Sequence, residues 1–278
     1  MATGRRIKFS VLNVVAQPHP PGIYRSVFER AAGVGVKFWG DQYVALSPIS
    51  SSRNGVFTGR IAVWTQVDKN SDVIKLDEFE QLALRDSEVS LPNNIGLNSR
   101  IFEYAFNESK HLMYVEQQNE DKKYLSPKRA ELAVHRILGQ LNFTDVEEVR
   151  VQIVPEADSV ERVLSVPRLK RVEMRVFRPN PDELDDQANA LLDELQEQGI
   201  QRTDIALAKA PGVDTIVLNA RNKLLAKIAA FNGYVRSFGR TEGGKTIEAS
   251  TKDHAKVVSV EADPDKSTIA QARYVAGE

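Results

Sequence analysis

Residues 239–246, Gly239-Arg240-Thr241-Glu242-Gly243-Gly244-Lys245-Thr246, match the phosphate-loop pattern G-x-x-x-x-G-K-[ST] letter for letter. Such a loop grips phosphates only when a buried strand precedes it and a helix follows, because helix amides and the lysine act together. Here Thr246 to Thr251 alternates like a strand, and only 32 residues follow Thr246 to supply the rest of a nucleotide domain. The spacing therefore predicts a hairpin turn.

A different chemistry is written across the same stretch. From Asn219 to Lys245 the chain carries Arg221, Lys223, Lys227, Arg236, Arg240 and Lys245 against the single acid Glu242. Lys223 and Lys227 lie four apart on a helix whose Leu224, Leu225, Ile228 and Phe231 are expected to face a core, so both lysines share an outer side suited to phosphates. On the next strand a period of two places Tyr234, Arg236, Phe238 and Arg240 on one face. Alternating rings and guanidinium groups can stack bases and bind phosphates. The competing assignment makes Tyr234 and Phe238 core residues, with arginines reaching past them to water. Lys122, Lys123, Lys128 and Arg129 form a weaker basic cluster beside a helix start, better explained as a solvated face.

Other chemistry is thinly represented. No cysteine occurs, which excludes disulfides, thiol nucleophiles, iron–sulfur clusters and cysteine zinc sites. His19, His111, His135 and His254 are scattered without metal-ligand spacing, so no metal and no cofactor is expected. There is no G-x-S-x-G elbow, and Gly33-Val34-Gly35 lacks the third glycine of a dinucleotide fingerprint. Seven acids without a base, Asp182, Glu183, Asp185, Asp186, Asp193, Glu194 and Glu197, lie along one predicted helix. They suit a solvated face or, as the sharper alternative, a partner-binding surface centred on Asp185, Asp186 and Glu194.

The elements that must position these groups follow from periodicity and punctuation. Strands are predicted over 7–15, 34–39, 42–46 and 56–64, with a short helix from Ile23 to Ala32 and a turn at Gly40-Asp41. Residues 70–88 are charge-rich with weak helical character, and a hairpin is expected from 101–106 to 111–116. Beyond residue 120 helices and strands alternate: a helix capped by Ser126 with Pro127 in its first turn, a strand at 149–154, a short helix at 158–165 and a strand at 169–177. A helix follows over 182–198 with apolar Leu184, Ala188, Leu191, Leu192 and Leu195, then a strand at 200–208 and a helix at 215–231. Strands close the series at 234–239, 246–250 and 256–260. The fold class is α+β, with mixed or antiparallel sheets and packed helices, as one domain or as two parts: a strand-rich region 1–120 and an α+β region 121–278.

With 278 residues, 42% hydrophobic and 27% charged, the chain has the composition of an ordinary folded protein. A net charge of −1 gives no global pull toward nucleic acid or membrane, so any basic footprint is local. The longest uncharged run, 10–24, is broken by Pro18, Pro20 and Pro21, and no signal region follows Arg5 and Arg6. A cytoplasmic chain without a membrane span is the expectation.

Four phrases, Leu12-Asn13-Val14-Val15-Ala16-Gln17-Pro18-His19-Pro20, Gly40-Asp41-Gln42-Tyr43, Leu125-Ser126-Pro127 and Arg178-Pro179-Asn180-Pro181-Asp182, occur in an order that resembles a bacterial and prophage family, domain of unknown function 4747. The resemblance runs along roughly the whole chain. In layout it is also distantly similar to the phage lambda exclusion protein RexA. These likenesses imply a DNA-binding protein of phage or prophage origin, acting as a homodimer in superinfection exclusion or antiviral defence, and they carry over no catalytic residue. The leading expectation is thus a non-enzymatic DNA binder working through Arg221 to Lys245. Two alternatives stand beside it: a module docking a toxin, nuclease or replication factor through its acidic helix, and an enzyme, either a nuclease of dispersed acids or a nucleotide hydrolase.

Overall fold

The computed structural model describes residues 5–68, 70–87, 92, 95–141, 145–177 and 197–277. It is an α+β fold built on two antiparallel sheets, with the larger sheet covered on both faces. The larger sheet runs β14-β1-β8-β7-β4-β3-β2, with β9 also paired to β1. Its strands are β1 (Arg6–Gln17), β2 (Val36–Trp39), β3 (Gln42–Leu46), β4 (Val56–Thr65), β7 (Leu97–Asn107), β8 (Leu112–Glu116), β9 (Glu148–Ile153) and β14 (Val257–Glu261).

Strand β1 shows how pattern becomes architecture. Leu12, Val14 and Ala16 enter the main core under α1 (Ile23–Ala31) and α2 (Pro127–Gly139), whereas Ile7, Phe9 and Val11 enter a second core on the reverse face. That second core is closed by α5 (Thr268–Gly277), through Ala272, Val275 and Ala276. Sequence reading misses α5 because its buried side, Gln271, Ala272, Val275 and Ala276, leaves no bulky apolar stripe. Helix α2 begins as predicted: Ser126 Oγ accepts from the Arg129 N–H at 3.3 Å and Pro127 occupies the first turn. Ser126→Ala should lower stability by about 1 kcal/mol, measurable by urea denaturation.

The smaller sheet has the order β11-β10-β12-β13, from β10 (Arg171–Phe177), β11 (Arg202–Ala208), β12 (Gly233–Arg240) and β13 (Thr246–Ser250). Helices α3 (Ser159–Leu164) and α4 (Ala220–Phe231) pack on one side, where Val172, Met174, Val176 and Val235 meet Val163, Ala226, Ile228 and Ala229. Two details depart from expectation. Helix α4 starts at the Asn219 cap rather than near 215, and Phe231 is exposed while Ala226, Ala229 and Ala230 fill the core. Helix α2, strands β9 and β14 and helix α5 all pack with the larger sheet.

Residues 72–83 form a two-stranded hairpin, β5 (Asp72–Lys75) with β6 (Glu80–Ala83), in place of the weak helix expected over 70–88. Its four ladder pairs outweigh local propensity, and it exposes Ile74, Leu76 and Phe79. Among the described residues no helix is long and apolar enough to cross a membrane.

Candidate nucleic-acid interface

Among the described residues, helices cover only one side of the smaller sheet and leave the other open. On β12 the inward positions are Val235, Ser237 and Gly239, so Tyr234, Arg236, Phe238 and Arg240 all reach the open side. The β10 register sets Arg171 opposite Phe238, Glu173 opposite Arg236 and Arg175 opposite Tyr234. Arg202 and Asp204 of β11 and Glu248 of β13 complete the surface. It therefore displays five arginines, Arg171, Arg175, Arg202, Arg236 and Arg240, against three acids, Glu173, Asp204 and Glu248.

These groups pair with one another across the strands. The Arg175 and Arg236 guanidinium carbons lie 5.2 and 5.3 Å from the Tyr234 ring centre. Asp204 takes Arg175 at 2.5 Å and Arg202 at 2.9 Å, and the Arg175 hydrogen bond holds the Asp204 carboxyl below its ordinary pKa. Arg171 pairs with Glu173 at 2.6 Å, and Arg236 reaches Glu248 at 3.8 Å.

At the Arg240 end the balance changes. The Arg240 N–H donates to Pro167 O at 3.0 Å, Lys170 N–H to Phe238 O at 2.8 Å, and Lys209 N–H to Lys170 O at 2.8 Å. These bonds gather Arg168, Lys170, Lys209 and Arg240 at one end of the sheet. Gly239 permits the approach, since a Cβ there would collide with the Pro167 carbonyl oxygen and Val166 Cγ1. Partial burial lowers the Lys170 pKa, and the charges of Arg240, Lys209 and Arg168 lower it further. The Lys209 ammonium donates to the Ala210 and Val213 carbonyls. Among the described residues none of the four forms an ion pair with a carboxylate. Clustered cations of this kind lose their mutual repulsion when an anion is bound.

The expected site residues divide between two layers. Tyr234, Arg236, Phe238 and Arg240 share the open face, and Lys245 sits in the turn beyond Arg240. Arg221, Lys223 and Lys227 belong to α4, on the opposite side of the sheet. There Lys223 and Lys227 edge a separate apolar groove of about 460 Å³ floored by Val160, Leu164 and Ile216. Sequence reading missed Arg168, Lys170 and Lys209; the run Arg168-Leu169-Lys170-Arg171 was the available signal.

The phosphate-loop letters fall in the β12–β13 turn, closed by Thr241 N–H to Lys245 O at 2.9 Å, with a strand following where phosphate binding needs a helix. Asp185, Asp186 and Glu194 lie outside the described residues. Among the described residues no group of three or more histidines or acids is placed to hold a metal ion.

A second polar site lies in the larger sheet. Glu103 of β7 and Glu116 of β8 face each other, with the Glu103 N–H donating to Glu116 Oε2 at 3.0 Å, beside a cavity of about 430 Å³ that Glu120 and Asp121 also line. Burial, with the Glu103 charge adding to it, pushes the Glu116 carboxyl up to about 7.

Fold and surface together define an α+β protein with an open, arginine- and ring-bearing sheet face that ends in a basic cluster. Residues 5–276 match the model of the family described as domain of unknown function DUF4747, and the chain belongs to that family. No curated protein matches it.

Proposed function

We propose that the protein binds nucleic acid, DNA foremost, along the open face of its smaller sheet, as a non-enzymatic component of phage exclusion or antiviral defence. The observation that carries this reading is the row Tyr234, Arg236, Phe238 and Arg240 on a face that no helix among the described residues covers, running into the basic group Arg168, Lys170 and Lys209. Rings and guanidinium planes stack bases, and clustered cations hold phosphates. Lys245 extends that end of the surface, whereas Arg221, Lys223 and Lys227 on the far layer take no part in this contact. The phage-related role rests on the prophage resemblance and on the more distant likeness in layout to RexA, as does action as a homodimer. The exposed Ile74, Leu76 and Phe79 of the β5–β6 hairpin are an apolar surface suited to a subunit contact.

Fluorescence anisotropy of labelled DNA, with nuclease-treated protein and a salt titration, tests this reading. Saturable binding is expected, with log affinity falling against log salt at a slope of about −2 or steeper, since each neutralised phosphate contributes about −0.7 to −0.9. Absence of binding at low salt would refute it.

A further inference from the structure

Where the open face meets the larger sheet there is a cleft of about 340 Å³. Phe177 and Tyr234 form its wall from the smaller sheet, and Leu132 and His135 of α2 form the other. We infer that this cleft receives one unstacked nucleobase, so that the nucleic acid held on the open face is single-stranded. The inference rests on the nucleic-acid reading above and adds to it the strandedness of the ligand and the place of one base.

Size and chemistry both point this way. The volume is within the range of about 300–1,000 Å³ typical of small-ligand sites, enough for a base and too small for any part of a stacked duplex. Both aromatic walls are already paired with cations: Arg150 lies 4.7 Å from the Phe177 ring centre, and Arg175 stacks on Tyr234. A base entering here extends an existing ring–guanidinium stack. The acids that line the cleft are engaged internally. Glu131 takes Lys252 at 2.8 Å and the Ile153 N–H at 3.3 Å, while Glu148 accepts from Gln201 at 2.6 Å and lies 3.4 Å from Arg150. Neither is left to repel a phosphate as a lone charge.

Geometry links the cleft to the rest of the face. From Tyr234 to Arg240 the strand advances six residues, about 20 Å at roughly 3.3 Å per residue, which places the cleft at one end of the row and the basic cluster at the other. An extended single strand spans that length with its bases turned toward Tyr234 and Phe238. In a duplex both faces of each internal base are covered by neighbouring pairs, so rings on the protein find nothing to stack on.

The test uses the full chain, a labelled thymidine oligomer of about 12 nucleotides, long enough for a site of this kind, and a duplex of equal length. The single strand should bind at least tenfold more tightly than the duplex. Phe177→Ala should lower single-strand affinity about tenfold and leave duplex affinity unchanged. Because Phe177 packs against Arg150, a second variant, His135→Trp, fills the cleft from an exposed position and should have the same effect. Equal affinity for both ligands, or single-strand affinity untouched by a folded Phe177→Ala and by His135→Trp, would overturn the cleft assignment while leaving DNA binding in place. Failure of the parent protein to bind either ligand would remove the nucleic-acid reading, and the cleft assignment with it.

Discussion

Replacing Lys170 and Arg240 together by alanine is expected to weaken DNA binding about 100-fold near 0.1 M salt and to make the salt slope shallower by about 1.4 for a single strand. Two charge-assisted phosphate contacts of about 1–1.5 kcal/mol each account for that loss. The change should leave the fold intact, because among the described residues neither side chain pairs with a carboxylate, and removing like charges relieves repulsion among Arg168, Lys170, Lys209 and Arg240. Arg221→Ala with Lys227→Ala is the informative comparison. It removes the same charge from the helical layer and should alter affinity by less than about threefold, the residue of long-range attraction after screening. Equal losses in the two double variants, measured by anisotropy titration, would show that the open face is not where DNA sits.

Glu116→Gln should remove most of a decline in stability that the parent protein shows between about pH 4.5 and pH 7. Glu116 is almost wholly buried, and its carboxyl is pushed up to about 7 by desolvation and by Glu103, only partly offset by the Glu103 N–H and the Arg5 charge. Below pH 4.5 the side chain is protonated in both folded and unfolded chains and has no effect on the pH profile. As pH rises toward 7 the unfolded chain ionises while the folded one keeps its proton, so stability falls, by roughly 3 kcal/mol once both forms are ionised. Burial also raises Glu103, against the opposing pull of Arg60, and this adds a smaller decline of the same sign. Glutamine keeps an acceptor for the Glu103 N–H and carries no charge to desolvate. Urea denaturation at pH 5 and pH 8 separates the outcomes: the parent should lose stability at the higher pH, and the variant should gain over it there. Parallel profiles for the two proteins would exclude Glu116 as the source.

How far this surface could be read in advance depended on distance along the chain. The facing of Tyr234, Arg236, Phe238 and Arg240 was legible because strand alternation repeats every two residues and is enforced by one buried neighbour after another. The Ser126 cap, the Gly40-Asp41 turn and the turn character of Gly239–Thr246 were legible for the same reason, each being a matter of a few consecutive residues. Alanine-rich α5 and the β5–β6 hairpin were not, since one owes its place to the sheet it covers and the other to cross-strand pairing.

The amino-acid sequence by itself determined the α+β class, most of the strands and helices, and which side chains on β12 point the same way. Only the tertiary structure decided that Lys223 and Lys227 belong to the layer behind the sheet, and that Arg168, Lys170 and Lys209 gather around Arg240. The physical reason is range. Periodicity records which side of an element is buried, whereas the choice of neighbour comes from long-range backbone pairing and core packing, such as the Lys170–Phe238 and Lys209–Lys170 hydrogen bonds, which no local pattern encodes.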